Sequence, residues 1–161
     1  MKCILSADNN WGIGHENSLL IRIPSDMKRF RALTTGNVII LGRKTLESFP
    51  GSKPLPDRVN IVLTKNMDYQ ADGAVIVHSV KDAVTEAEKY GKEIYVVGGA
   101  AVYREFLPYC NEALVTRIDH SYEADAFFPD LDKDPEWELK EESDEETCFD
   151  IVYHYCRYVR K

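Results

Sequence analysis

The chain of 161 residues is 44% hydrophobic and 29% charged, the proportions of one ordinary globular domain, and no apolar run in it approaches the roughly 20 residues of a membrane span. Its net charge of −7 is concentrated: residues 130–146 hold ten acids and two bases, which leaves seventeen acids against eighteen bases elsewhere. That distribution excludes the basic field of a nucleic-acid binder, and it leaves most of the surface open to an anionic ligand.

The opening Met1-Lys2-Cys3-Ile4-Leu5-Ser6-Ala7-Asp8 turns polar too soon for a secretory leader, so a cytoplasmic location is expected. A helix is predicted over Ser25–Thr35, with Ser25 as N-cap and Pro24 blocking extension backwards. Strands follow at Val38–Leu41, Asn60–Leu63, Ala74–Val77 and Ile94–Val97, all continuous apolar runs rich in β-branched residues. Runs of that kind suit strands buried on both faces of a parallel sheet. Further helices are predicted over Lys44–Ser48, Val80–Tyr90 and Ala101–Leu107, with right-handed crossovers between the strands.

The last third reads differently. Ala113–Asp119, Trp137–Glu142 and Ile151–Val159 are strand-like with no long helix between them, which predicts an antiparallel edge. Pro, Gly, Asp and Asn mark turns at 50–57, 66–73 and 129–135. The expected fold is one α/β domain over residues 1–161: a central mixed, mostly parallel β-sheet with an antiparallel C-terminal edge, flanked by about four helices.

Cys3, Cys110, Cys148 and Cys156 form no CxxC and no Cys/His cluster, so they read as reduced, partly buried small hydrophobes, and no metal site is expected. Cys148 and Cys156 share parity on the expected last strand, which argues against a disulfide between them. His15, His78, His120 and His154 are scattered and read as surface or loop residues. With no GxSxG elbow and no cysteine beside a histidine, covalent hydrolysis finds no support.

Three strand ends carry groups that could meet a ligand, since ligands of open α/β sheets gather where strands end and helices begin. At Leu41-Gly42-Arg43-Lys44-Thr45, a glycine permits close backbone approach and a helix N-terminus faces outward beside two bases. A plain turn with two solvated bases is the alternative. At Val97-Gly98-Gly99-Ala100-Ala101, adjacent glycines open a helix without the endings of a Walker loop or a GxGxxG fingerprint, and a tight turn is the alternative. Leu63-Thr64-Lys65 offers a hydroxyl and an ammonium suited to a phosphate, or simply a surface lysine. Asp26, in the first turn of the expected first helix, either complements the helix dipole or serves as an acid. Phe30 at i+4 and Met27 beside it favour the second role, because an apolar pocket raises a carboxyl pKa toward useful proton delivery.

Together these segments resemble the dihydrofolate reductase family, in order and spacing, over residues 4–129. The resemblance is carried by Ile13-Gly14-His15-Glu16-Asn17, Ile23-Pro24-Ser25-Asp26, the stretch Val38 to Ser48, Pro54-Leu55-Pro56-Asp57-Arg58, Asn60 to Thr64, Val97 to Tyr103, Leu114 to Asp119 and Asp125 to Pro129. It implies NADPH-dependent reduction of 7,8-dihydrofolate to tetrahydrofolate in one-carbon metabolism, by a monomer open to antifolate inhibitors. It also implies roles for single residues. Asp26, supported by Thr116, would serve the pterin as acid. Leu5, Ala7, Met27, Phe30, Phe49, Leu55 and Val97 would line the substrate, and Arg58 would grip its glutamate carboxylate. Ala7, Ile13, Gly42, Arg43, Lys44, Thr45, Leu63, Thr64, Lys65, Val97, Gly98, Gly99, Ala100, Ala101, Val102 and Tyr103 would hold NADPH, with a cis peptide joining Gly98 to Gly99. The loop from Asn9 to Ile23 resembles the family's mobile lid, with Gly12 and Gly14 as its flexible points.

One departure is plain. Where the family carries a tryptophan in Leu-Pro-Trp-x-Leu-Pro, this chain reads Leu19-Leu20-Ile21-Arg22-Ile23-Pro24. Ile21 lacks the indole N–H, which is expected to alter proton delivery or substrate orientation. Two alternatives stand beside the leading reading: a related NADPH reductase of a ribosylaminopyrimidine, and a pterin- or NADPH-binding protein without turnover. Asp26, Phe30 and Arg58 speak for folate, and turnover separates an enzyme from a binder.

Overall fold

Strands form where the sequence supplies apolar residues to both faces of a sheet. In chain order they are β1 (Lys2–Ala7), β2 (Gly12–Gly14), β3 (Val38–Gly42), β4 (Val59–Leu63), β5 (Ala74–Val77), β6 (Ile94–Val96), β7 (Glu112–Ile118), β8 (Ala126–Phe127), β9 (Trp137–Glu142), β10 (Glu146–Cys148) and β11 (Ile151–Arg160). Four helices lie among them: α1 (Pro24–Thr34), α2 (Arg43–Glu47), α3 (Val80–Glu88) and α4 (Ala100–Phe106). The computed structural model describes residues 1–161.

The main sheet has the order β10-β11-β7-β1-β6-β3-β4-β5, and β9 shares the β11 edge with β10. From β7 to β5 every pairing is parallel. β11 then runs antiparallel to β7, β9 and β10, which gives the mixed sheet with an antiparallel C-terminal edge that the sequence predicts. β1, which the apolar runs did not single out, lies at the centre between β6 and β7.

Alternation along the strands divides the core in two. Val38, Ile40, Ile61, Val96 and Val115 face one side, where α3 and α4 contribute Ala83, Ala87, Val102 and Phe106. Ile39, Leu41, Val62, Tyr95 and Leu114 face the other, where Leu46 of α2 and Phe30 and Leu33 of α1 cover them. Each fully buried side chain of this size contributes about 1.5–3 kcal/mol. The acidic run of residues 130–146 is mostly solvated, with Leu131 and Trp137 as its buried anchors.

Three expectations are corrected. Ser25 is not the N-cap of α1: Pro24 occupies the first turn, Ile23 is the extended cap with no side-chain bond, and the Ser25 hydroxyl lies 2.6 Å from that of Tyr153. Proline at the first helical position supplies a pre-set φ, so no capping side chain is needed there. Cys148 and Cys156 are not on one strand, because the chain turns between β10 and β11; both thiols are free. Gly12 and Gly14 are not loose points of a lid but form β2, paired with β8. A Cβ at Gly12 would sit 2.8 Å from that of Ala124.

Asp8 fixes this corner. Fully buried, it accepts from the backbone N–H groups of Asn10 and Gly12 through Oδ1 and of Tyr122 through Oδ2, at 2.8–2.9 Å. Truncation would strand three buried or half-buried donors. Asp8→Ala is expected to cost about 2–4 kcal/mol, read as a lower urea midpoint with unchanged slope. A loss under about 1 kcal/mol would show that water can take over these donors.

Candidate active site

Asp26 reaches its place because α1 crosses the face of the sheet on which Thr116 points outward from β7. The Thr116 hydroxyl, 1% exposed, donates to Asp26 Oδ1 at 2.6 Å. Burial raises the Asp26 pKa above the usual carboxylate range, against the opposing pull of the Thr116 bond and of the Arg29 charge. The outcome is a carboxyl that keeps its proton longer than a surface aspartate.

Of the expected apolar lining, Phe30, Phe49, Leu55 and Val97 pack on the α1 side of the core, whereas Leu5 and Ala7 of β1 pack with the cluster on the other side. Met27 is 39% exposed, an apolar side chain open to whatever enters beside Asp26. Ile21 packs against the cluster of Ile23, Ile118 and Tyr153, and its side chain offers no donor.

Arg58 is held from two sides. Its Nε donates to the Pro56 carbonyl at 2.9 Å and Nη1 to the Thr34 hydroxyl at 3.2 Å. Burial and the nearby Arg31 guanidinium push its pKa below the ordinary arginine value. A cation so placed gains from an incoming anion, which would relieve both effects.

On the opposite flank the two glycine turns come together. The Gly42 N–H donates to the Gly98 carbonyl at 2.9 Å, and the Gly98–Gly99 peptide is cis, as the family resemblance implies. Gly98 adopts φ +118°, and a Cβ there would meet the Tyr103 ring at 3.3 Å; one on Gly42 would meet Val102 at 3.1 Å. A Cβ on Gly99 would lie 3.6 Å from the Thr45 hydroxyl, so the α2 and α4 N-termini lie side by side. Ala100 and Ala101 begin α4 with side chains too small to obstruct it.

Further along, Leu63, Thr64, Lys65 and Val102 line a cavity of about 330 Å³. His78, Ser79, Val80 and Glu105 complete it, residues the sequence reading did not single out. The signal was present: His78 follows the β5 run at its C-terminal end, as Lys65 follows β4. The joined glycine surface and this cavity fit the phosphates and the adenosine end of a dinucleotide.

Some expected residues are present but otherwise engaged. Arg43 pairs with Glu47 at 2.6 Å, one helical turn away, so its charge is shared. The Thr64 hydroxyl accepts from the Asn66 N–H at 3.1 Å and shapes its own turn. Tyr103 is 4% exposed and donates to the Ile4 carbonyl at 2.8 Å; it supports Gly98 from beneath. Ile13 packs against the core from β2. Lys44 is exposed at the α2 N-terminus, its carbonyl 3.4 Å from the Asn17 amide.

Comparison with known proteins agrees with this geometry. The sequence profile of the family described as Dihydrofolate reductase matches residues 1–160. The chain is 36% identical over 162 residues to the dihydrofolate reductase of Bacillus subtilis strain 168, covering 98% of this chain and 93% of that protein. It is 38% identical over 159 residues to the enzyme of Neisseria meningitidis serogroup A, covering 96% of each. The structure of dihydrofolate reductase from Enterococcus faecalis complexed with NADP(H) and RAB-propyl superposes with a TM-score of 0.88 at 35% identity, over 99% of this chain and 95% of that one.

Proposed function

Because the chain belongs to the dihydrofolate reductase family and reduces dihydrofolate with NADPH, we propose that Asp26 orients the pterin and delivers the proton that its N5 gains as C6 accepts the hydride. The observation that carries this reading is the Asp26–Thr116 pair: a carboxyl of raised pKa, anchored at 2.6 Å, on the apolar side of the sheet. NADPH, when bound, supplies the hydride.

Every other task falls to the chain. Thr116 fixes one carboxyl oxygen, so the second is free to meet the pterin. Phe30, Phe49, Leu55 and Met27 exclude water from the ring, and Ile21 extends that dry boundary where the family places an indole. Arg58 takes the glutamate carboxylate, with Nη2 uncommitted and Nη1 bound only to a hydroxyl. Gly42, Gly98 and Gly99 admit the cofactor phosphates to the backbone, and Lys65 and His78 stand at the end of the adenosine cavity.

All of these residues come from one chain, so the reading needs no second copy, and we take the working form to be a monomer. Four free thiols, two of them only 3.6 Å apart, suit the reducing cytoplasm. Folate analogues that fill the same cleft are expected to compete with substrate.

The test is the pH dependence of single-turnover hydride transfer under saturating NADPH and dihydrofolate. Burial holds the Asp26 pKa high, so the rate should rise as pH falls and level off once the acid is protonated, with a midpoint above the ordinary carboxylate range. A rate flat from pH 5 to 9 would remove Asp26 from the proton path.

A further inference from the structure

We propose that Arg29, stacked on Tyr155, is a positioning residue that sets the pH at which Asp26 yields its proton. The inference rests on the assignment of Asp26 as the acid. It starts from a closed circuit of four side chains on α1, β7 and β11. Asp26 and Arg29 are three residues apart on α1 and so share a helix face. Asp26 accepts from Thr116 of β7. Tyr155 of β11 is the antiparallel partner of Thr116, which puts the two side chains next to each other on the same face of the sheet. The Arg29 guanidinium lies over the Tyr155 ring, 4.2 Å from its centroid, and this closes the circuit.

Arg29 makes no ion pair, although carboxylates are near. With Glu141, Glu142 and Arg157 it lines a cavity of about 280 Å³ behind α1. Glu141 is taken by Arg157 at 2.9 Å, and Glu142 accepts from the Cys156 thiol at 3.8 Å. The aromatic face therefore holds the cation in place, as a π surface does for a guanidinium. Three residues from Asp26 on the same helix, it acts on that carboxyl as a charge and is not consumed by an ion pair.

The groups that face Asp26 are few. Arg29 comes from its own helix, Thr116 from β7, and the Tyr155 phenol from β11; Tyr153 is turned to the Ser25 hydroxyl at 2.6 Å. Of these only Arg29 carries a charge at neutral pH. Its field favours the carboxylate, against the burial that favours the acid. The balance keeps Asp26 able to lose its proton to the substrate and regain one from water within each turnover.

The measurement is the pH profile of single-turnover hydride transfer for the wild-type protein, Arg29→Met, Arg29→Lys and Asp26→Asn. Removing the charge should move the Arg29→Met midpoint upward by about half to one pH unit, the scale of one charge a helical turn away in a partly solvated site. Arg29→Lys, which keeps the charge, should bring the midpoint back toward the wild-type value. A lower rate in Arg29→Met with an unmoved midpoint would mean a merely structural role and would overturn the proposal, provided Asp26→Asn had lost the wild-type plateau. If Asp26→Asn kept the wild-type profile, the assignment of the acid would fail first and this inference with it.

Discussion

Asp26→Asn is expected to lower the rate of hydride transfer at pH 7 by about a hundredfold or more, the usual effect of removing a placed general acid. The loss should narrow as pH falls and the substrate arrives already protonated, so the variant profile keeps rising where the wild type has levelled. Asparagine retains an oxygen for the Thr116 hydroxyl, so the anchor at 2.6 Å survives the change. Stability should move the other way. Burial raises the Asp26 pKa in the folded chain, so above the ordinary carboxylate range the unfolded state releases the proton more readily and ionisation opposes folding. Asparagine removes that opposition. The variant is therefore expected to melt no lower than wild type at pH 7, with any gain confined to pH above the unfolded carboxylate value. Stopped-flow loss of NADPH fluorescence and thermal melts across pH 4–8 read the two effects separately. A slow variant that also melted well below wild type would point to misfolding and not to a missing acid.

What the sequence made legible follows from what local chemistry can specify. The parallel strands were readable because both faces of β3, β4 and β6 are buried, which leaves continuous runs such as Val38–Leu41. β1 was harder, since its Lys2 and Ser6 interrupt the run although the strand lies at the centre of the sheet. β2, β8 and β10 have two or three residues each, too few to show a period. At the site, Asp26 and its apolar neighbours were legible because helix spacing places Phe30 on the same face. Thr116 needed the family pattern, as nothing in its own strand marks a hydroxyl 90 positions away from its carboxylate partner. Arg29 on Tyr155 and Ser25 on Tyr153 were not legible at all: both join α1 to the last strand, and only the sheet order brings these together. Beside the Gly42 turn Arg43 looks like a free cation, but helix spacing brings Glu47, four residues on, to compete for its charge.

Gly98→Ala is expected to weaken NADPH binding by about a hundredfold and to destabilise the fold by about 2–4 kcal/mol, since two costs coincide there. At φ +118° an L side chain is in a region essentially reserved for glycine. Its Cβ would also lie 3.3 Å from the Tyr103 ring, and that ring cannot retreat: its hydroxyl is bound to the Ile4 carbonyl, and its edge packs on Phe128 at 5.2 Å between centroids. Any shift of Gly98 passes to Gly42, whose N–H it accepts, so both glycine turns would open together. Gly99→Ala is the informative companion. Its backbone has φ −84°, and its Cβ would find only the Thr45 hydroxyl, at an ordinary 3.6 Å. That variant should keep its stability yet lose affinity for NADPH, because the added methyl faces the surface shared by the two helix N-termini. Calorimetric titration with NADPH beside urea unfolding separates the cases. Should Gly99→Ala bind NADPH as tightly as wild type, the cofactor would lie away from the glycine turns, and the Gly98 cost would be one of folding alone.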